Sequence, residues 1–140
     1  MAGGFKLGGN VNIGNNPTFA PQLTGNQVDN APANLVMGNL NVVEGNYNVA
    51  FGQQNTVSGT SDSRCNFVGG ENCKIIGGTG SILFGRSGET HQSASYSVGL
   101  GYGPELESNA FGGIAVGLSK VDGLLGIAMG FGATGSASYT

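Results

Sequence analysis

Tryptophan is absent from this 140-residue chain, histidine occurs once, and charge is sparse, with five Lys+Arg and eight Asp+Glu. Charged side chains make up 9% of the chain against a typical ~25%. Five scattered basic residues and a net charge of −3 give no footprint for binding nucleic acid. No apolar run approaches the ~18 residues of a membrane-spanning helix, so no membrane insertion is expected. The opening MAGGFKLGG lacks the apolar stretch of a secretory signal. Two cysteines, Cys65 and Cys73, make neither a disulfide framework nor a zinc cluster. They fall at different places in the pattern described below, which predicts free, half-buried thiols, with a local bridge as the alternative.

Glycine, which occurs 28 times, and asparagine are what the chain has in excess. Both are poor helix formers, and an interior Gly costs about 1 kcal/mol relative to Ala, so a helical protein is close to excluded. Disorder fits poorly with 39% hydrophobic residues and so small a net charge. Collagen needs Gly at every third residue, which is not seen. An all-β chain, built as a solenoid, remains.

Internal repeats carry the rest of the reading. YNVAFGQQNTVSG (47–59) aligns without a gap on CNFVGGENCKIIG (65–77), and NLVMGNLNVVEG (34–45) fits the same frame. Shorter copies are SILFG, SVGLG, GIAVG and GIAMG, with NVNIG (10–14) as an early outlier. The closing glycines are Gly38, Gly52, Gly70, Gly85, Gly101, Gly117 and Gly130. Differences between their successive numbers are 14, 18, 15, 16, 16 and 13, a basic period of 14 with insertions. Three residues before each stands a large apolar residue: Leu35, Val49, Phe67, Ile82, Val98, Ile114 and Ile127. One residue before it, Phe51, Phe84 and Val116 continue the same strand face. The residue between is small or apolar, which predicts a strand buried on both faces.

A second, more polar half follows seven residues on. Two short strands joined by Gly/Asn corners make one turn of a coil, because Gly and Asn accept φ > 0 cheaply. Stacked turns place equivalent strands in parallel ladders about 4.8 Å apart. So narrow a coil has a thin core against ~1–2 kcal/mol of ordering entropy per residue. The second apolar face therefore predicts an obligate oligomer about an axis along the coil, since each large side chain removed from water contributes about 1.5–3 kcal/mol. A monomeric β-sandwich with Gly-rich turns is the alternative.

YNVAFG, SILFG, GIAVG and GIAMG resemble the SVAIG-type motif of YadA-like head domains of trimeric autotransporter adhesins, over about residues 34–140. The resemblance implies a left-handed parallel β-roll, a homotrimer, and a role in surface attachment; such heads also occur on virion fibres. Carried over by position, it makes Leu35, Val49, Phe51, Phe67, Ile82, Phe84, Val98, Ile114, Val116 and Ile127 the residues facing the coil interior or the trimer axis. An adhesin also needs a signal, a heptad stalk and an anchor, which this sequence does not show. The expectation is therefore a non-enzymatic capsid-decoration or fibre protein, assembled in the host cytoplasm onto a virion surface. The alternative is the head of a bacterial cell-surface adhesin. Segment 1–33, with Pro17, Pro21 and Pro32, reads as an arm contacting a capsid or tail protein, or as a capping turn followed by an excursion.

No catalytic, metal or cofactor site is expected. GFGATG (130–135) matches a dinucleotide fingerprint only formally, having neither helix nor acidic residue after it. GGTGSILFG (77–85) puts Ile82 where a calcium-binding roll needs Asp. His91 has no sequence neighbour with which to bind a metal, and Glu105 and Glu107 read as solvated loop tips. If any surface contacts a receptor, the insertions at 60–64, 86–95 and 102–109 are the candidates, with Arg64, Arg86, His91, Tyr102 and Glu105.

Overall fold

The computed structural model describes residues 11–14, 27–28, 34–59 and 64–136. In chain order the strands are β1 (Val11–Gly14), β2 (Gln27–Val28), β3 (Leu35–Asn39), β4 (Val42–Val43), β5 (Val49–Gln53) and β6 (Thr56–Ser58). Then come β7 (Phe67–Glu71), β8 (Lys74–Ile76), β9 (Ile82–Arg86), β10 (Glu89–Thr90) and β11 (Val98–Tyr102). The last are β12 (Glu105–Leu106), β13 (Ile114–Val116), β14 (Ser119–Val121), β15 (Ile127–Met129) and β16 (Ala133–Gly135). Odd strands form one eight-stranded sheet and even strands the other, each in sequence order. Every pairing is parallel. The chain is a β-solenoid that alternates between the two sheets.

Register follows the repeat frame. Leu35, Val49, Phe67, Ile82, Val98, Ile114 and Ile127 form one column of the odd sheet, each beside the next. NVNIG falls into the same frame, with Ile13 beside Met37 and Gly14 beside Gly38. β2 likewise lies on β4, so the 1–33 segment supplies a strand to each sheet. Its prolines lie outside the described residues.

The interior belongs to the second residue of each odd strand from β3 onward. Val36, Ala50, Val68, Leu83, Ala115 and Ala128 are buried, facing Val43, Val57, Ile75, Leu106 and Val121 from the even sheet. Sizes are matched across this thin core. A Cβ on Gly99 would lie 2.5 Å from Leu83 Cδ1 and 3.4 Å from Leu106 Cδ1, so a missing side chain makes room for two leucines. Val49, Phe51 and Ile82, expected to face either the coil interior or the trimer axis, point away from the coil. The strand is buried on its inner face only, because nothing in the same chain covers the outer one.

Asparagine solves the polar problem of the corners. Asn34 Oδ1 accepts the backbone N–H of Asn48 at 2.8 Å, and Asn48 Oδ1 accepts that of Asn66 at 3.0 Å. Asn66 Oδ1 accepts the N–H of Ser81 at 3.0 Å. The side-chain amide of Asn34 donates to Gly45 O and that of Asn66 to Gly78 O, at 2.8 and 2.7 Å. At the opposite corner Asn41 and Asn55 repeat the device, accepting from Asn55 N and Cys73 N at 3.0 Å each. Buried amides so paired hold consecutive turns in register without an unsatisfied group.

Glycine closes each odd strand for a steric reason. At Gly70 φ is +114°, and a Cβ there would sit 1.8 Å from the carbonyl oxygen of Gly85 in the next turn. Both cysteines are free. Cys73 is buried within the second asparagine column, where desolvation pushes its thiol pKa up. Cys65 is exposed at a corner, not half-buried as the pattern suggests.

Candidate functional site

The two sheets present opposite chemistry to the outside. On the even sheet the outward column is Lys74, Glu89, Glu105 and Lys120, side by side in register. On the odd sheet the outward columns are apolar. Phe51, Phe67 and Phe84 cluster there with ring centroids 4.7–5.3 Å apart in tilted and edge-on arrangements. Gly69 makes this cluster possible: a Cβ on it would lie 2.6 Å from the Phe84 ring and 2.7 Å from the Phe51 ring. Rings from the turns before and after meet over the glycine between them.

This face runs along the rod. Met37, Phe67, Ile82, Leu100, Ile127 and Met129 are exposed on it, the last two by 62% and 66%. Fifteen large hydrophobic side chains are exposed among the described residues, and none stands on an even strand. An apolar surface this extended, with charge segregated to the opposite sheet, is the mark of a contact surface. The charges on described odd strands are Glu71 and Arg86, which face each other in register and pair at 3.3 Å.

The five residues expected to touch a receptor do not converge. Arg64 bridges between Asn46 and Thr79 where the chain enters the odd sheet. Arg86 and Tyr102 are neighbours at the far end of that sheet. His91 and Glu105 lie on the even side. Residues 60–63 of the first candidate insertion fall outside the described residues. The other two insertions are not free loops, since they supply β10 and β12.

Glu105 and Glu107 are not isolated loop tips, and His91 does not lack carboxylate neighbours. His91 Nε2 is 3.6 Å from Glu105 and 3.9 Å from Glu107. Lys120 Nζ hydrogen-bonds to Glu107 and lies 3.5 Å from Glu105. That hydrogen bond holds the Glu107 carboxyl below its ordinary pKa and the Lys120 ammonium above its own. The ligand atoms of His91, Glu105 and Glu107 lie within 4.8 Å of one another, close enough for a shared cation. The Lys120 ammonium already supplies positive charge there, so the group is a surface ion cluster bridging three turns. Sequence spacing hides it, because the two glutamates lie a full turn of the coil from His91 on one side and from Lys120 on the other. The column of the second half-repeat, Lys74, Glu89, Glu105, Lys120, is the signal that finds it.

No helix among the described residues is long and apolar enough to cross a membrane. Comparison with protein-family models, curated proteins and solved structures gave no match.

Proposed function

We propose that this chain is a non-enzymatic structural or attachment protein, working as a left-handed trimeric β-roll on a virion surface, as capsid decoration or fibre head. The observation that supports it is the apolar outer face of the odd sheet. A single coil leaves it in water, whereas three coils about a common axis bury it turn by turn. The likeness of its strands to YadA-like heads points to the same assembly. The head of a bacterial trimeric adhesin is the alternative, resting on the same likeness.

Two measurements test this. Light scattering on the purified chain should give three times the 14.0 kDa chain mass; a monodisperse 14.0 kDa particle would end the trimer reading. Capsids assembled from structural genes neighbouring the coding sequence should retain the full chain and lose it when residues 1–33 are deleted. Retention by matrix-coated surfaces, and not by capsids, would favour the adhesin.

A further inference from the structure

Both sheets end at the same two turns. β1 and β2 stand at one end of the rod and β15 and β16 at the other, each with a neighbour on one side only among the described residues. The edge left by the last turn is the better defined. In every repeat from β3 to β13 the first residue of the odd strand donates its N–H to the carbonyl just before the next odd strand, from Leu35 to Asn48 through Ile114 to Gly126. Ile127 is the next member of that column, and no described residue offers it an acceptor. The side chains agree. Phe67, Ile82 and Leu100 are 37–38% exposed, whereas Ile127, Met129 and Phe131 reach 62%, 66% and 90%. A Cβ at Gly38, Gly52, Gly70 or Gly85 would lie 1.8–2.0 Å from a glycine oxygen of the next turn, and one at Gly130 meets nothing within 4 Å.

We propose that the last turn of one copy seats the first turn of a second copy, so that rods join end to end. β1 carries the frame that β15 requires. Val11, Ile13 and Gly14 stand beside Leu35, Met37 and Gly38, in the columns that close on Ile127, Met129 and Gly130. The even sheet gives the same match, since Gln27 and Val28 head the columns that close on Thr134 and Gly135. A shift of one rung therefore sets β1 on β15 and β2 on β16 together. An unrelated strand satisfies one open edge, whereas the first turn of this chain satisfies both and continues the glycine column with Gly14 over Gly130. That is why the occupant is a second copy. Open sheet edges are templates for such pairing, and a heterologous contact that does not close builds a filament. The joint does not rest on the trimer reading, because single coils and trimers have the same ends.

Eight rungs about 4.8 Å apart make each copy about 38 Å long. Electron microscopy and sedimentation velocity on the full chain, over a range of concentrations, test the joint. Rods should lengthen in whole multiples of about 38 Å as concentration rises, and dilution should return the base particle. Two variants act at the joint. Gly130→Ala puts a methyl group where Gly14 of the next copy would sit. Ile127→Pro removes the outward N–H, and proline is tolerated on an edge strand whose N–H faces solvent. Each should keep the far-UV spectrum and base mass of the parent and lose the longer rods. Rods of a single length at every concentration would overturn the proposal, as would multiples that persist in either variant while it stays folded. A 14.0 kDa base particle that still joins into multiples supports the end contact while ending the trimer reading.

Discussion

Single residues decide this fold more sharply than in a protein with a thick core. A Cβ at Gly52 would lie 2.0 Å from the carbonyl oxygen of Gly70, whereas one at Gly130 meets nothing within 4 Å. The two share a φ of +114° and +112°. Gly130→Ala should therefore cost only the backbone strain, about 1–3 kcal/mol. Gly52→Ala adds a backbone clash and should prevent folding or cost well over about 3 kcal/mol, as urea unfolding of the two variants would show. Thr90 is the opposite case. Its Oγ1 is buried without a hydrogen-bond partner, in register with Ile75 and Leu106. Thr90→Val removes an unsatisfied hydroxyl at nearly constant shape and should stabilise by about 1–2 kcal/mol. A lower denaturation midpoint for that variant would contradict the packing described.

At the scale of elements, strand position and register were legible because a solenoid turns sequence period into spatial column. Asn34, Asn41, Asn48 and Asn55 recur every seven residues and are the corner amides. The glycine spacing gives the turns. What sequence could not give was which face of the odd strand is inside. Both faces are apolar, and size misleads: the narrow interior takes Ala50 and Ala115, while the larger Phe51 and Ile114 are turned out. The ion cluster was hidden for a different reason, being assembled from three turns. Its contribution has a definite pH range. Glu107, with its pKa lowered, stabilises above its ordinary value of 4.5, and this is lost as pH falls through the lowered value. Lys120, with its pKa raised, stabilises below 10.5, and this is lost as pH rises through the raised value. The Tm difference between the parent and Lys120→Met should thus be present between the ordinary values of 4.5 and 10.5 and be lost as pH falls through the lowered Glu107 value or rises through the raised Lys120 value. It should also shrink in high salt, since these side chains are partly exposed.

For the whole molecule the outer face is the controlling feature. Phe51 packs on Phe67 and Phe84 outside the coil, so Phe51→Asp leaves the interior untouched and places a charge in the proposed contact. The expected result is loss of the trimer in light scattering and sedimentation. A soluble trimer from this variant would show that the aromatic cluster is not at the contact.

The stacking of turns bears on how such a rod can change. Each turn touches chiefly the one before and the one after, so stability accumulates from neighbour to neighbour. Excising a whole unit, from one column position to the same position in the next, joins surfaces already built to fit and shortens the rod by about 4.8 Å. Excising half a unit would leave the inward residues inward but exchange the apolar sheet for the charged one along everything that follows. Length in this architecture is thus adjustable by recombination, but only in whole steps.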